Sequence, residues 1–459
     1  MLPECRYYLR IMKFHLQTFG CQMNVYDSES IAGILRAYGH ETVSTVQEAD
    51  IALINTCSVR RGAETRVLGQ LGHLKTLKSR GIIRYIAVCG CMAQKHGEDL
   101  LKERGYIDLI LGPAALSRLP YLLDRLENHD GPIVELSQLD IEDRDDFVPN
   151  DGPISYPCFV TIMKGCDRRC SYCVVPDTRG PERSRSPQNV LDEIRGLVER
   201  GYRELTLLGQ TVDSYRYDNT DFVGLLEKVN AIEGLRRIRF ATSHPADANE
   251  RLLFALHDLE KVCEQLHLPV QSGSNRILAA MRRNHTREDY LRIIDRLREI
   301  FDGISAAHQP AISTDLIVGF PGETESDFEE TVDLMRRVRW DSAFMFKYSI
   351  RPGTYAATLP EHLDEETKAR RLARVIDLQH ETSREINQRL IGETLEVMLD
   401  QPSADKRKHS GWDGRSRQGK TVKVAGVSPD AQPGDILCVR ITKTTSYTLF
   451  GDVVSYSVR

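Results

Sequence analysis

From Lys13 to Tyr348, short apolar runs alternate with amphipathic helical stretches, and this alternation restricts the fold of the 459-residue chain more than any other feature. Strand, helix and strand in repetition imply parallel sheets joined by helical crossovers. In the first part the runs lie at 14–19, 51–55, 85–88 and 107–111, with helical stretches at 28–38, 64–78 and 116–127. They predict a small doubly wound α/β domain over 12–130. Six acids (Asp140, Glu142, Asp143, Asp145, Asp146 and Asp151) against one Arg144 then mark a solvated linker over 131–151.

Beyond the linker the alternation resumes on a larger scale. Strand candidates at 159–163, 204–208, 238–241, 265–270, 312–318 and 343–348, with helical stretches such as 190–199, 274–281 and 327–338, make six βα units. That number fits an open, partial (β/α)6 barrel over 152–385 rather than a complete eight-unit barrel. The period then shortens to apolar runs at 395–399, 421–424, 436–441 and 446–454, broken by Gly, Pro and Asp. A small all-β barrel of OB-like proportions is expected over 386–459. No run approaches the roughly 18 to 20 apolar residues of a membrane span. The start shows no signal-peptide pattern, so a cytoplasmic protein is expected. A net charge of -5 argues against a general nucleic-acid coat but leaves room for a local basic surface.

In a reducing compartment, eleven cysteines point to metal ligation or catalysis rather than to a disulfide framework. Cys166-Asp-Arg-Arg-Cys170-Ser-Tyr-Cys173 directly follows a barrel strand candidate, which puts three thiols in one loop at the end where βα barrels gather their chemistry. Three thiolates on a [4Fe-4S] cluster leave one iron open to a small chelating substrate. The alternatives are a zinc site lacking its fourth ligand and a chance cluster of buried cysteines. Cys21, Cys57 and Cys91 each lie just beyond the carboxyl end of one of the first three strand candidates, an edge shared in a parallel sheet. They are therefore candidates for a common ligand site, with buried packing as the alternative for each. Cys89 is expected to stay in its strand as packing; Cys5, Cys158, Cys263 and Cys438 receive no role.

The Cys166, Cys170 and Cys173 spacing, with Tyr172 before the third cysteine, resembles the radical S-adenosylmethionine (SAM) superfamily. With the three first-domain cysteines, the whole pattern resembles the methylthiotransferase family. Further matching segments are Val175-Pro-Asp-Thr-Arg-Gly-Pro-Glu-Arg-Ser-Arg185, Thr242-Ser-His-Pro245, Leu268-Pro-Val-Gln-Ser-Gly273, Thr314-Asp-Leu-Ile-Val-Gly-Phe-Pro-Gly-Glu323 and Tyr348-Ser-Ile-Arg-Pro-Gly-Thr354. Within the family, Gly209-Gln-Thr-Val-Asp-Ser-Tyr215 and the Arg-Pro-Gly-Thr run look most like the enzymes that methylthiolate N6-isopentenyladenosine in tRNA. Asp177, His285 and Tyr355 depart from the family pattern; none touches a cluster cysteine, so the departures bear on substrate contacts rather than on the reaction class.

The resemblance implies two [4Fe-4S] clusters, one on Cys21, Cys57 and Cys91 and one on Cys166, Cys170 and Cys173. It also implies two uses of SAM: as methyl donor to sulfur at the first cluster, and as source of a 5′-deoxyadenosyl radical that removes hydrogen from C2 of the adenine. An aromatic C–H offers ordinary base or nucleophilic catalysis no acidic proton or leaving group, which gives the radical its purpose. Candidate SAM contacts, by resemblance and strand-end position, are Tyr172, Gly209, Gln210, Ser243, Gln271, Arg283 and Asp315. Turn, cap and packing roles are the alternatives for these. The implied partners are a tRNA anticodon loop, a reductant such as flavodoxin or ferredoxin, and a sulfur source.

In the third domain the basic residues Lys406, Arg407, Lys408, Arg415, Arg417, Lys420 and Lys423, against Asp413, and the aromatic Trp412 fit an RNA-binding barrel of the TRAM type. A solvated loop is the alternative. Competing readings of the whole are a methylthiotransferase for threonylcarbamoyladenosine or for a ribosomal-protein aspartate, and, in a different class, an iron-sulfur electron-transfer or carrier protein.

Overall fold

The computed structural model describes residues 10–58, 61–128, 131–137, 154–403 and 411–456. Two compact units emerge. The first is Met1–Gly152 with Lys164–Arg168 and Val174–Arg185; the second is Pro153–Met163 with Arg169–Cys173 and Ser186–Arg459.

The first unit is built on a six-stranded parallel sheet. Its strands are β1 (Lys13–Thr18), β2 (Glu41–Thr42), β3 (Ile51–Thr56), β4 (Tyr85–Gly90), β5 (Leu109–Leu111) and β6 (Ile133–Glu135), in the order β2-β1-β3-β4-β5-β6. Every residue of β3 is buried, as a central strand covered on both faces requires. Alternate side chains feed two separate cores. Leu53, Ala87, Cys89, Leu109 and Leu111 pack with Ile31 and Leu35 of α1 (Gln22–Ala37) and with Leu122 and Leu123 of α4 (Leu119–Asn128). Ala52, Ile54, Ile86, Val88 and Ile110 pack with Val67, Leu71 and Leu74 of α2 (Arg61–Ser79) and with Met92, Ala93 and Leu100 of α3 (Cys91–Glu103). Because α1 follows β1 onto one face and α2 follows β3 onto the other, the strand order reverses between β1 and β3. Doubly wound folds place their ligands at that edge.

The expected linker needs a correction, since its first residues form β6, which pairs Ile133 with Leu109 at the sheet edge. A three-residue strand is too short to show a period, and the acids after it masked its one buried side chain. The acidic residues Asp140 to Asp151 themselves lie outside the described residues.

In the second unit two three-stranded parallel sheets carry the six barrel strands. One joins Phe159–Thr161, Glu204–Leu208 and Arg237–Phe240; the other joins Gln265–His267, Ala311–Val318 and Ser342–Lys347. A parallel bridge between Ile238 and Val262 and a 2.9 Å bond from the Cys263 amide to the Ile238 carbonyl continue one sheet into the next. Six βα units are present, as the alternation predicts. The helices bury Ile194, Leu226, Leu252, Ile294, Phe328 and Val332 against the outer face.

The chain ends in a closed five-stranded barrel of Thr394–Pro402, Trp412–Ser416, Thr421–Ala425, Thr448–Tyr456 and Ile436–Thr444. Buried arginines fasten it to the βα barrel. Arg237, fully buried, bonds Glu396 Oε1 at 3.0 Å and the Arg415 carbonyl at 2.9 Å. Arg239 donates to the Ser416 and Arg417 carbonyls, both at 2.7 Å, and pairs with Glu204 at 3.0 Å. Burial works to raise the Glu204 pKa, but Arg239 and Arg237 outweigh it and hold the carboxyl below its ordinary range. Removing Glu204 would leave two buried guanidiniums without the carboxylate they share.

Candidate functional site

The three first-unit cysteines stand where their spacing predicts. Cys21 is the N-cap of α1, Cys57 follows β3 directly, and Cys91 opens α3 directly after β4. A polar lattice beneath them holds the loops together. Asn24 accepts from the Cys21 amide at 3.3 Å and donates to Asn55 Oδ1 at 3.1 Å and to the Thr56 carbonyl at 2.9 Å. Asn55 in turn donates to the Asn24 carbonyl at 2.8 Å, and the Thr56 hydroxyl donates to the Cys89 carbonyl at 2.5 Å. Thus one asparagine three residues after Cys21 and two polar residues just before Cys57 tie α1, β3 and β4 into a single edge.

Two glycines let the backbones approach this closely. At Gly20 (φ +150°) a Cβ would sit 2.6 Å from the Cys57 Cβ; at Gly90 (φ +93°) it would sit 2.4 Å from the Thr56 carbonyl oxygen. The Cys57 thiol holds Cys21 down to about 6 against the effect of burial, and Arg179 and the Asn24 and Met23 backbone add to the lowering. These contacts bias Cys21 toward the thiolate, the form that binds metal. Cys89, by contrast, lies inside β4, where burial pushes its thiol up, and it serves as packing, as expected.

Arg179 completes this edge. It ends a short helix, α5 (Val175–Arg179), and its side chain, 6% exposed, pairs with Asp27 at 2.7 Å and donates from Nε to Cys91 Sγ at 3.3 Å. Neither Arg179 nor Asp27 was among the sequence candidates. Among the described residues no three His, Cys, Asp or Glu side chains gather tightly enough for one metal ion. A tetrahedral zinc centre needs ligands within about 2.3 Å of a single point. A cluster spreads its thiolates over separate irons, and an all-thiol set fits that chemistry.

In the other triad, the Cys166 amide donates to the Gly180 carbonyl at 3.2 Å within the first unit. In the second unit the Cys173 amide donates to the Cys170 carbonyl at 3.1 Å, and Ser171 is pinned by its amide to the Met281 carbonyl and by its own carbonyl to the Ala356 amide. Arg283 donates to Cys170 Sγ at 3.6 Å and to the Pro269 carbonyl at 2.8 Å. Burial works against its charge, but Tyr172 and Cys170 more than offset this. Tyr172 packs beside Ile277, Met281, Phe320 and Tyr348, and burial pushes its phenol up.

The remaining SAM candidates separate by position. Gly209 and Gln210 follow Glu204–Leu208, Ser243 follows Arg237–Phe240, and Gln271 (φ +75°) follows Gln265–His267. Ser243 Oγ and Gln210 Oε1 are buried with no hydrogen-bond partner among the described residues, as atoms awaiting a polar ligand would be. Gly209 has a packing reason as well, because a Cβ there would meet Met163 Cγ at 2.5 Å. Asp315 departs from the strand-end expectation, lying inside Ala311–Val318, and Arg283 lies beyond a helix, Asn275–Ala280.

Asp315 also marks a face that the sequence reading missed. Register places His267 beside Ser313, Asp315 beside Phe344 and Ile317 beside Phe346. Met345 packs on the helix side, whereas Phe344 and Phe346 on the opposite face are 51% and 39% exposed. His267 bonds Ser313 Oγ at 3.0 Å and meets the Phe344 ring edge-on at 5.9 Å. Two exposed aromatics beside a polar ladder suit a flat, partly apolar ligand. The departures lie elsewhere: Tyr355 stacks on Arg282 at 3.9 Å, His285 meets the His244 ring at 5.7 Å, and Asp177 is exposed.

The basic residues of the C-terminal barrel are mostly engaged. Arg415 pairs with Asp400 at 3.2 Å, Arg417 with Glu264 at 2.8 Å, Lys420 with Asp341 at 2.6 Å and Lys423 with Asp413 at 2.6 Å. Lys406, Arg407 and Lys408 lie outside the described residues. Trp412, expected as an exposed aromatic, is half-buried against the barrel core, whereas Tyr447 is 68% exposed.

Three family matches tile the chain: Uncharacterized protein family UPF0004 over residues 13–112, the Radical SAM superfamily over 160–335 and the TRAM domain over 388–454. Over 449 residues the chain is 43% identical to the Caldicellulosiruptor saccharolyticus protein named tRNA-2-methylthio-N(6)-dimethylallyladenosine synthase, with 96% of this chain and 92% of the relative covered. The chain belongs to the radical SAM methylthiotransferase family. A Moorella thermoacetica member with the same name is 44% identical, with 96% of this chain and 98% of the relative covered. Among solved structures, the radical S-adenosylmethionine methyltransferase TsrM of Kitasatospora setae superposes with a TM-score of 0.56 at 14% identity over 76% of this chain and 77% of its own, a likeness of fold alone. Membership implies SAM and a [4Fe-4S] cluster as cofactors. Among the described residues no helix is long and apolar enough to cross a membrane.

Proposed function

We propose that this chain methylthiolates C2 of N6-isopentenyladenosine in the anticodon loop of tRNA, using two [4Fe-4S] clusters and SAM in two roles. Full-length relatives at 43% and 44% identity that carry the synthase name support the substrate. The observation that carries a second cluster is the convergence of the Cys21, Cys57 and Cys91 loops through Asn24, Asn55, Gly20 and Gly90. When bound, a reduced cluster with SAM supplies the radical that an unactivated aromatic C–H demands.

The chain's own residues do the rest. Cys166, Cys170 and Cys173 hold the radical-forming cluster, and Arg283 donates to Cys170 and balances its charge. Gln210 and Ser243 offer SAM their unpaired oxygens at strand ends. Phe344 and Phe346 stack the adenine and cover its prenyl group, and His267 and Asp315 border the polar edge. Exposed Tyr447 and the basic segment Lys406, Arg407 and Lys408 grip the RNA; a tRNA substrate sets a cytoplasmic location and calls for a flavodoxin- or ferredoxin-like reductant and a sulfur source.

Anaerobic turnover on isopentenylated tRNA, followed by mass spectrometry of the nucleosides, should yield the 2-methylthio derivative. Product from threonylcarbamoylated tRNA alone would move the chain to the other tRNA-modifying reading. Absence of 5′-deoxyadenosine after reduction with SAM would favour an electron carrier.

A further inference from the structure

We propose that Arg179, countered by Asp27, is a positioning residue that sets the charge balance, and hence the reduction potential, of the cluster held by Cys21, Cys57 and Cys91. The inference rests on the two-cluster reading above. Arg179 lies on α5, immediately after the other cysteine triad in sequence, yet its side chain is buried in the first unit among the first-unit cysteines.

The way its fork is divided carries the argument. An arginine recruited only to pair with a carboxylate frequently engages it through two parallel N–H···O bonds. Arg179 gives Asp27 one nitrogen, Nη2, and directs Nε at Cys91 Sγ at 3.3 Å. Both partners of the ion pair are about as buried as the sheet core, at 6% and 5% exposed. A buried pair of this kind is a poor source of stability by itself, because the desolvation cost rivals the attraction. The second arm of the fork serves the Cys91 sulfur, which on the two-cluster reading is a cluster ligand. Hydrogen bonds to ligating sulfur and nearby positive charge stabilise the reduced, more negative form of a cluster and raise its potential. Asp27 opposes that effect. It also keeps the guanidinium in place, so the pair sets the potential between two extremes.

The order of the midpoint potentials is the signature. In a Cys166→Ala, Cys170→Ala, Cys173→Ala background, only the first-unit cluster remains, and an EPR-monitored redox titration reads it alone. Asp27→Asn frees the cation and should raise the midpoint potential. Asp27→Asn with Arg179→Gln removes both charges and the strong donor without stranding a buried carboxylate, and should lower the potential below that of Asp27→Asn. Arg179→Lys keeps the charge and should stay near the parent value. Unchanged potentials, or a shift of the same size and sign in Asp27→Asn and the double variant, would overturn the inference while leaving the cluster assignment standing. Should the double variant fail to fold, the sign in Asp27→Asn decides: a rise supports the role, and no change or a fall overturns it. An iron-free background protein would refute the two-cluster reading itself, and the inference with it.

Discussion

Replacing Gly90 by alanine tests whether close backbone approach, rather than the thiols alone, builds the first-unit site. Gly90 has φ +93° and ψ -164°, a region open almost only to glycine, so alanine there costs about 1–3 kcal/mol in backbone strain. The new Cβ would also lie 2.4 Å from the Thr56 carbonyl oxygen and 2.5 Å from Asn55 Oδ1. Neither atom can yield without breaking the lattice under the cysteines, which adds about 1–3 kcal/mol of overpacking. The total of about 2–6 kcal/mol should lower the melting temperature by about 4–24 °C for a unit of this size. Gly39 is the internal control: φ is similar at +89°, but nothing lies within 4 Å of its Cβ position. Gly39→Ala should cost only the strain, about 1–2 kcal/mol, and leave iron unchanged. Gly90→Ala should lose the iron of the first-unit cluster, about half the total, as read by metal analysis beside thermal melts. Equal melting temperatures for the two variants, or full iron in Gly90→Ala, would refute the reasoning.

Three further outcomes follow from the same geometry. Arg237→Ala leaves the Arg415 and Glu396 carbonyls without their donor, while Glu204 keeps Arg239, and should cost about 2–6 kcal/mol in a denaturant titration, about 1–3 for each buried carbonyl. Phe344→Ala should raise KM for isopentenylated tRNA more than it lowers kcat, since base–aromatic stacking is worth about 1–3 kcal/mol; an unchanged KM in the variant would count against it. Neutralising Lys406, Arg407 and Lys408 should reduce the slope of log binding constant against log salt by about 2–3, because fewer counterions leave the phosphates; an unchanged slope would move the RNA surface elsewhere.

Much of this architecture was legible because parallel-sheet strands declare themselves as short apolar runs. β3 and β4 are buried along nearly their whole length and were read from that signal. The cysteine placements followed from strand order alone, since β1, β3 and β4 are neighbours in a parallel sheet. Other elements left weaker traces. β6 has one buried side chain, and α3 begins at a cysteine with only Met92, Ala93, Gly97 and Leu100 buried after it. Arg179 and Asp27 escaped notice because they lie 152 positions apart and only the fold pairs them. Asn24 and Asn55 did carry a signal: an asparagine within three residues of a cysteine, in or beside a buried element, needs partners. Phe344 and Phe346 drew no role beyond their strand, because an aromatic on a barrel strand gives no sign in sequence of which face it occupies. Arg415, Arg417, Lys420 and Lys423 looked like a free basic stripe because their carboxylate partners come from distant segments, apart from Asp413.

The central claim is a division of labour between two cysteine sets, and it is met most directly by replacing Cys21, Cys57 and Cys91 with alanine together. The variant, reconstituted anaerobically with its remaining cluster verified by spectroscopy, is given reductant, SAM and isopentenylated tRNA. It should still cleave SAM to 5′-deoxyadenosine, because that chemistry needs only the iron held by Cys166, Cys170 and Cys173, and it should form no methylthio product. Methylthiolated adenosine in that reaction would contradict the account.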